Sequence, residues 1–213
     1  MLKIRFDELE RILCIGSHSD DIEIGCGGTI LRILAEKRQI EVFWVILSDR
    51  GDSSEEAVRS AEVFLREAKD KKIVIKKFRD AFFPYCGLEI KEYFEELKQK
   101  VSPDVVFTHR REDMHQDHRL VSELTWNTFR DHVILEYEIP KYEGDLGSPN
   151  LFVTLSEATC RRKVETICNI FQSQRSKKWF SPDTLWALLR IRGVESNSPS
   201  KFAEGLYCRK MVM

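Results

Sequence analysis

Short, wholly apolar blocks alternate along this chain with longer segments in which apolar residues recur every three or four positions. Arg11 to Ser17 is the first apolar block and predicts a strand. Ile24 to Arg38 follows with Ile30, Ile33 and Leu34 on one face, the spacing of a helix. Glu41 to Leu47 (EVFWVIL) is a continuous apolar run and predicts a strand buried on both faces. Ser53 or Ser54 is placed to cap a helix running to Lys69, with Glu55 and Glu56 in its first turn. Lys72 to Phe78 predicts a third strand, FFPYCG a loop, and Leu88 to Lys100 an amphipathic helix that stops before Pro103. Asp104 to Thr108 and Val133 to Glu138 predict two more strands, with a helix over Gln116 to Phe129 between them. A turn-rich segment from Tyr142 to Asn150 leads to a short strand, Leu151 to Leu155, and a helix, Glu157 to Phe171. After Ser176 the pattern is mixed and predicts no clear element.

Strands and helices therefore alternate for most of the chain. That order predicts an α/β fold, a Rossmann-like three-layer sandwich in which helices cover both faces of a mostly parallel sheet. In such sheets ligands sit beyond the carboxyl ends of the strands. No repeat or low-complexity segment divides the chain, and residues 1–213 are expected to form one domain.

Composition narrows the partners. The net charge is -1, so there is no basic excess for nucleic acid or an anionic membrane surface. No apolar stretch approaches the roughly 20 residues of a membrane span. The first residues, MLKIRFDELERIL, lack the apolar centre of a signal peptide. The six cysteines form no C-x-x-C pair and several lie in apolar runs, as reduced thiols in a cytoplasm would. The expected location is cytoplasmic and the expected partner a small molecule, with a homo-oligomer left open.

The chemistry concentrates just after the first strand, where SHSDDIEIGCGG packs His18, Asp20, Asp21 and Glu23 into one turn. Such crowding of charge is costly unless a cation or partner offsets it. The glycines lack the G-x-G-x-x-G spacing and lie behind acids that would repel a pyrophosphate, which excludes a dinucleotide site. A metal site fits better. His18 and Asp21 are three apart, and HQDH after the fourth strand supplies His115 and His118 on the same edge of a parallel sheet. Two imidazoles and a carboxylate suit catalytic zinc and leave a position for water, with Asp20 left over to take a proton. Singly, each group has an ordinary structural role: a hydrogen-bonded histidine at a strand end, a carboxylate capping a helix.

These residues resemble the LmbE-like, or PIG-L, family of zinc-dependent N-deacetylases. Its first motif, approximately (P/A)HPDD-x-E followed by glycines, is matched by SHSDDIEIGCGG, and its H-x-D-H by HQDH. Weaker matches are LSDRG (Leu47 to Gly51), Arg59 with Glu62, Ser173-Gln174, and a late AEG preceded by Arg192-Gly193. The resemblance implies His18, Asp21 and His118 as zinc ligands, with iron(II) the other suitable cation. It implies Asp20 as general base and His115 as the residue that steadies the oxyanion or protonates the leaving amine. Arg59 and Asp80 are implied to contact substrate, Glu23 to orient a ligand or the turn, and Gly27 and Gly28 to permit close packing. The implied reaction is removal of an N-acetyl group from an N-acetylglucosamine-type sugar conjugate. Ser19 departs from the family's proline, which keeps the ligands but loosens their turn.

Two rival readings are specific. A phospho-receiver signalling domain also places an acidic pair after its first strand, with Lys141 as its lysine, but it leaves His18, His115 and His118 unexplained. An amidase acting on a non-sugar conjugate would use the same site.

Overall fold

The computed structural model describes residues 8–37, 39–48 and 52–212. Its frame is a seven-stranded sheet: β1 (Arg11–Gly16), β2 (Glu41–Ser48), β3 (Asp70–Phe78), β4 (Val105–His109), β5 (Val133–Tyr137), β6 (Leu151–Leu155) and β7 (Phe202–Cys208). The spatial order is β3-β2-β1-β4-β5-β7-β6. The first five strands are parallel, and β7 enters antiparallel between β5 and β6. The helices are α1 (Asp21–Glu36), α2 (Asp52–Phe64), α3 (Gly87–Lys100), α4 (Gln116–Thr128), α5 (Glu157–Ile170) and α6 (Pro182–Glu195).

The period of two along β1 builds both cores. Ile12 and Cys14 face the cluster completed by α1, α2, α5 and α6, including Phe64, Ile167 and Leu189. Leu13 and Ile15 face the opposite cluster, built with α3 and α4 from residues such as Phe94, Leu97 and Val121. All four strand residues are fully buried, which is why the strand reads as a continuous apolar run.

Three departures from the pattern have physical causes. The first helix begins at Asp21, three residues earlier than expected, so Asp21 and Glu23 occupy its first turn, where carboxylates are favoured. A helix and a strand, α6 and β7, occupy the segment after Ser176. The FFPYCG loop holds one 3-10 turn, Phe83–Tyr85. The expected cap of α2 at Ser53 and the Asp49 to Gly51 part of LSDRG lie outside the described residues or side chains.

Small residues let α1 lie close to the sheet. A methyl group on Gly25 would sit 2.1 Å from Tyr137 on β5, and one on Gly28 would meet Leu155 at 2.5 Å and Glu204 at 2.8 Å. The space left by Gly28 admits an ion pair. Glu204 accepts from the backbone of Gly28 and Thr29 at 2.8 and 2.6 Å, and the buried Lys163 ammonium reaches Glu204 and the Ile24 carbonyl at 2.6 Å each. No helix among the described residues is long and apolar enough to cross a membrane.

Candidate active site

The chain turns one way from β1 to β2 and β3, then restarts on the other side of β1 with β4 and β5. The carboxyl ends of β1 and β4 therefore flank the switch point where such sheets bind ligands. His18 leaves the end of β1, Asp21 opens α1, and His118 stands in the first turn of α4, just beyond β4.

Three donor atoms meet there. His18 Nδ1 is 3.1 Å from His118 Nε2 and 3.3 Å from Asp21 Oδ2, and His118 Nε2 is 3.5 Å from Asp21 Oδ2. Ligands about 2.0–2.1 Å from a tetrahedral ion lie about 3.3–3.4 Å from one another. The triangle has those sides, so the donor set fits one small divalent cation. His115 is adjacent, its ring centroid 4.9 Å from that of His18 and 4.5 Å from that of His118.

A further layer of side chains fixes each of these donors, as imidazoles that held a metal would require. His18 Nε2 lies 2.7 Å from Asp80 and 3.3 Å from Asp117. His118 Nδ1 lies 3.0 Å from Asp113, which is itself 3.0 Å from the Lys141 ammonium. Asp21 Oδ2 accepts from the His18 backbone at 2.7 Å and lies 3.2 Å from His109 Nε2. Asp117 also accepts from the backbone of Ala81 at 2.7 Å and Phe83 at 3.1 Å, tying the loop after β3 to the site. Those bonds hold Ala81 at a φ of 62°, a conformation a residue with a Cβ seldom adopts unless the surroundings enforce it.

The electrostatics separate the roles. Burial and the neighbouring His109 push His118 down to about 3, so it is a neutral imidazole at neutral pH, as a ligand must be. Burial alone would raise Asp21, but His118, His109 and His18 hold it well below the usual carboxylate range. Burial would lower His18, yet Asp21, Asp117 and Asp80 together raise it well above an ordinary histidine. The centre thus favours positive charge. Asp20 is pushed up to about 6 by burial and by Asp21, against the pull of Lys177 and His18. It lines the cavity, and its buried Oδ2 has no hydrogen-bond partner. Burial and His18 lower His115, whose Nδ1 accepts from the Asp117 backbone at 3.3 Å. That bond leaves the proton of the neutral ring on Nε2.

The cavity over these residues holds about 190 Å³. Its remaining walls include Tyr142, Gln174, Lys177 and Trp179. Trp179 is partly buried, packs against the core and also lines this space.

The sequence-derived candidates divide cleanly. His18, Asp20, Asp21, His115 and His118 come together around one cavity. Arg59, expected to touch substrate, is exposed on α2, donates to the Ile170 carbonyl at 3.3 Å and does not line the cavity. Asp80, expected on a sugar hydroxyl, lies against His18 instead. Glu23, expected to orient a ligand or the turn, is fully buried in the first turn of α1 beside Ser60, and burial raises it well above an ordinary glutamate. Lys141, which the signalling reading needs near the acidic pair, is held by Asp113 and Asp145. Sequence reasoning missed Asp113 and Asp117 as parts of the site, while Gln174, one of the weaker family matches, lines the cavity. Each stands two residues from His115, and that spacing is the signal that could have found them.

The family described as PIG-L, GlcNAc-PI de-N-acetylase, matches residues 13–129. Among solved structures, a conserved protein from Thermus thermophilus is 19% identical with a TM-score of 0.72, covering 96% of each chain. The 4-carboxy-2-hydroxymuconate hydratase GalB from Pseudomonas putida is 17% identical with a TM-score of 0.76, covering 96% of this chain and 98% of its own. The N,N'-diacetylchitobiose deacetylase from Pyrococcus horikoshii is 20% identical with a TM-score of 0.66, covering 95% and 85%. The likeness to these structures concerns the fold.

Proposed function

The chain belongs to the PIG-L family of GlcNAc-PI de-N-acetylases, and from that membership we propose that it is a metal-dependent hydrolase removing the acetyl group from an N-acetylglucosamine-type sugar conjugate. The observation that carries the reading is the triangle of His18, Asp21 and His118 with the unpartnered Asp20 carboxylate beside it. The fold does not carry it, because a hydratase has the same fold.

In this reading His18, Asp21 and His118 hold zinc, with iron(II) the alternative for such a ligand set. The bound cation supplies Lewis acidity toward the amide carbonyl and acidifies a water molecule. Asp20 accepts the proton of the attacking water; with its pKa near 6 it is ionised at neutral pH yet basic enough to do so. His115 presents its Nε2 proton to the oxygen on which negative charge develops. The C–N bond of the amide breaks, the nitrogen takes a proton from Asp20 or His115, and acetate and a free amine leave. Asp113, Asp117 and Asp80 hold the two histidines in the required orientation. We also take residues 1–213 as one domain, since the sheet runs unbroken from β1 to β7, and place it in the cytoplasm, consistent with six free thiols.

The test is acetate release from N-acetylglucosamine conjugates by the zinc-loaded protein, with metal-stripped protein and Asp20→Asn as blanks. The expected result is metal-restored turnover that Asp20→Asn lacks. Absence of acetate from fully metallated wild-type protein across a panel of such conjugates would overturn the reading.

A further inference from the structure

Lys141 has no part in the hydrolytic reaction, yet its side chain is only 7% exposed. Its ammonium donates to Asp145 Oδ1 at 2.7 Å, to Asp145 Oδ2 at 2.6 Å and to Asp113 Oδ2 at 3.0 Å. Burying a lysine between two carboxylates costs desolvation that an apolar side chain of similar volume avoids. The oxygen it takes on Asp113 shows what the lysine does there.

Asp113 serves the site with both oxygens. Oδ1 accepts from the His115 backbone N–H at 2.8 Å. Oδ2 lies 3.0 Å from His118 Nδ1. His118 Nε2 is turned to His18 and Asp21, so Nδ1 carries the ring proton and donates it to that oxygen. A carboxylate in this position makes the opposite nitrogen a more basic ligand. Lys141 competes for the same oxygen. Its charge draws on the carboxylate and dilutes what His118 receives. Burial would raise Asp113, but His118, His109 and Lys141 hold it far below the usual carboxylate range, so one full negative charge is divided between the two donors.

Asp145 governs the division. Its side chain is 6% exposed. It is fixed in place by accepting the Met114 backbone N–H at 2.7 Å, and its own carbonyl accepts from the Arg110 guanidinium at 2.6 Å. Its pull on the ammonium keeps Lys141 from turning wholly to Asp113.

We propose that Lys141 is a positioning residue that tempers the metal centre: by sharing Asp113 Oδ2 with His118 it keeps His118 Nε2 a weaker donor, and Asp145 sets how far. A less basic ligand grips the ion less tightly and leaves more of its positive charge for the substrate carbonyl. This rests on the metal reading of the site and deepens it. The competing role is structural: Lys141 neutralises two buried carboxylates and pins the segment after β5, without influence on His118.

The experiment measures zinc affinity of the full chain by chelator competition, and the resonance of the His118 Nδ1 proton in zinc-loaded, isotope-labelled protein. Two variants are expected to move both readouts in opposite directions. Asp145→Asn keeps an acceptor for Met114 and releases the ammonium to Asp113. Its zinc affinity is expected to fall about threefold to tenfold, with the proton moving upfield. Lys141→Met combined with Asp145→Asn removes one charge of each sign and returns Oδ2 to His118. Its zinc affinity is expected to rise about tenfold, with the proton moving downfield. A structural lysine yields only losses, so weaker or unchanged affinity in the double variant overturns the proposal. A His118 proton that stays in place in both variants overturns it too. Where the double variant fails to fold, Asp145→Asn decides alone: undiminished affinity and an unmoved proton overturn the proposal. Wild-type protein that takes up no zinc defeats the metal reading beneath it. Zinc bound equally by wild type and double variant defeats the tempering role alone.

Discussion

His18 Nδ1 and His118 Nε2 stand 3.1 Å apart although 100 residues separate them in the chain. Two imidazole nitrogens at that distance either share a proton or share a cation. Asp113 fixes the orientation of one of them, through His118 Nδ1 at 3.0 Å. Asp113→Asn is therefore expected to weaken zinc binding about 10–100-fold while leaving the fold intact. Chelator competition measures this, and an unchanged affinity would show that Asp113 does not hold His118 in place.

Asp20 is a stability cost that the site retains. Its folded pKa, about 6, lies above that of an unfolded aspartate. A carboxyl raised in this way destabilises the folded state once the pH exceeds the unfolded value, and fully so above the folded one. In metal-free protein at pH 7, Asp20→Asn is expected to increase stability by up to about 3 kcal/mol, a gain that shrinks toward pH 4. Urea melts of the two proteins at both pH values test this. A variant less stable than wild type at pH 7 would show that Asp20 is held by favourable contacts.

The same group sets the acid side of activity. A bound cation favours ionised Asp20 and draws its pKa down from about 6. The acid limb of kcat/KM is thus expected at or below about pH 6, as the base takes up its proton. A limb centred above pH 7 would assign the base role to another residue.

Behind the site, Lys163 and Glu204 form an ion pair of 2.6 Å with both side chains buried. Truncating one partner strands the other charge. Glu204→Ala is expected to cost about 3–5 kcal/mol, because Lys163 and the amides of Gly28 and Thr29 all lose their acceptor. The double change Lys163→Met, Glu204→Leu is expected to recover much of that loss. Denaturant midpoints of both variants decide it, and additive losses would mean that the two groups act independently.

The sequence made β1, β2, β4 and β5 legible because they are buried on both faces and read as apolar blocks, whereas β3, at the sheet edge, is only partly buried and alternates weakly. The segment holding α6 and β7 gave no such signal. In α6 the apolar residues run around the helix, so that Leu185 and Leu189 are buried while Ile191 and Val194 are exposed. In β7 the buried Glu204 and the adjacent Gly205 look like loop residues until Lys163 is placed opposite. The convergence of His18, Asp21, His115 and His118 was legible because their two motifs are crowded with charge directly after apolar strands. The carboxylates behind them were not. Asp80, Asp113 and Asp117 resemble any charged loop residue, and only the fold shows which of them turn inward. Arg59 is the reverse case: a motif match whose guanidinium donates to the Ile170 carbonyl and does not line the cavity.

The placement of β7 has a consequence for synthesis. His18, Asp21 and His118 all emerge from the ribosome well before Phe202–Cys208. The helix that begins with Asp21 is braced by Glu204 through Gly28 and Thr29, so a nascent chain holds all three proposed ligands while the scaffold beneath them is still unfinished. On the proposed metal reading, an ion would meet its final geometry only once β7 is in place, and a stalled or clipped product lacking β7 would contain the whole motif without the grip.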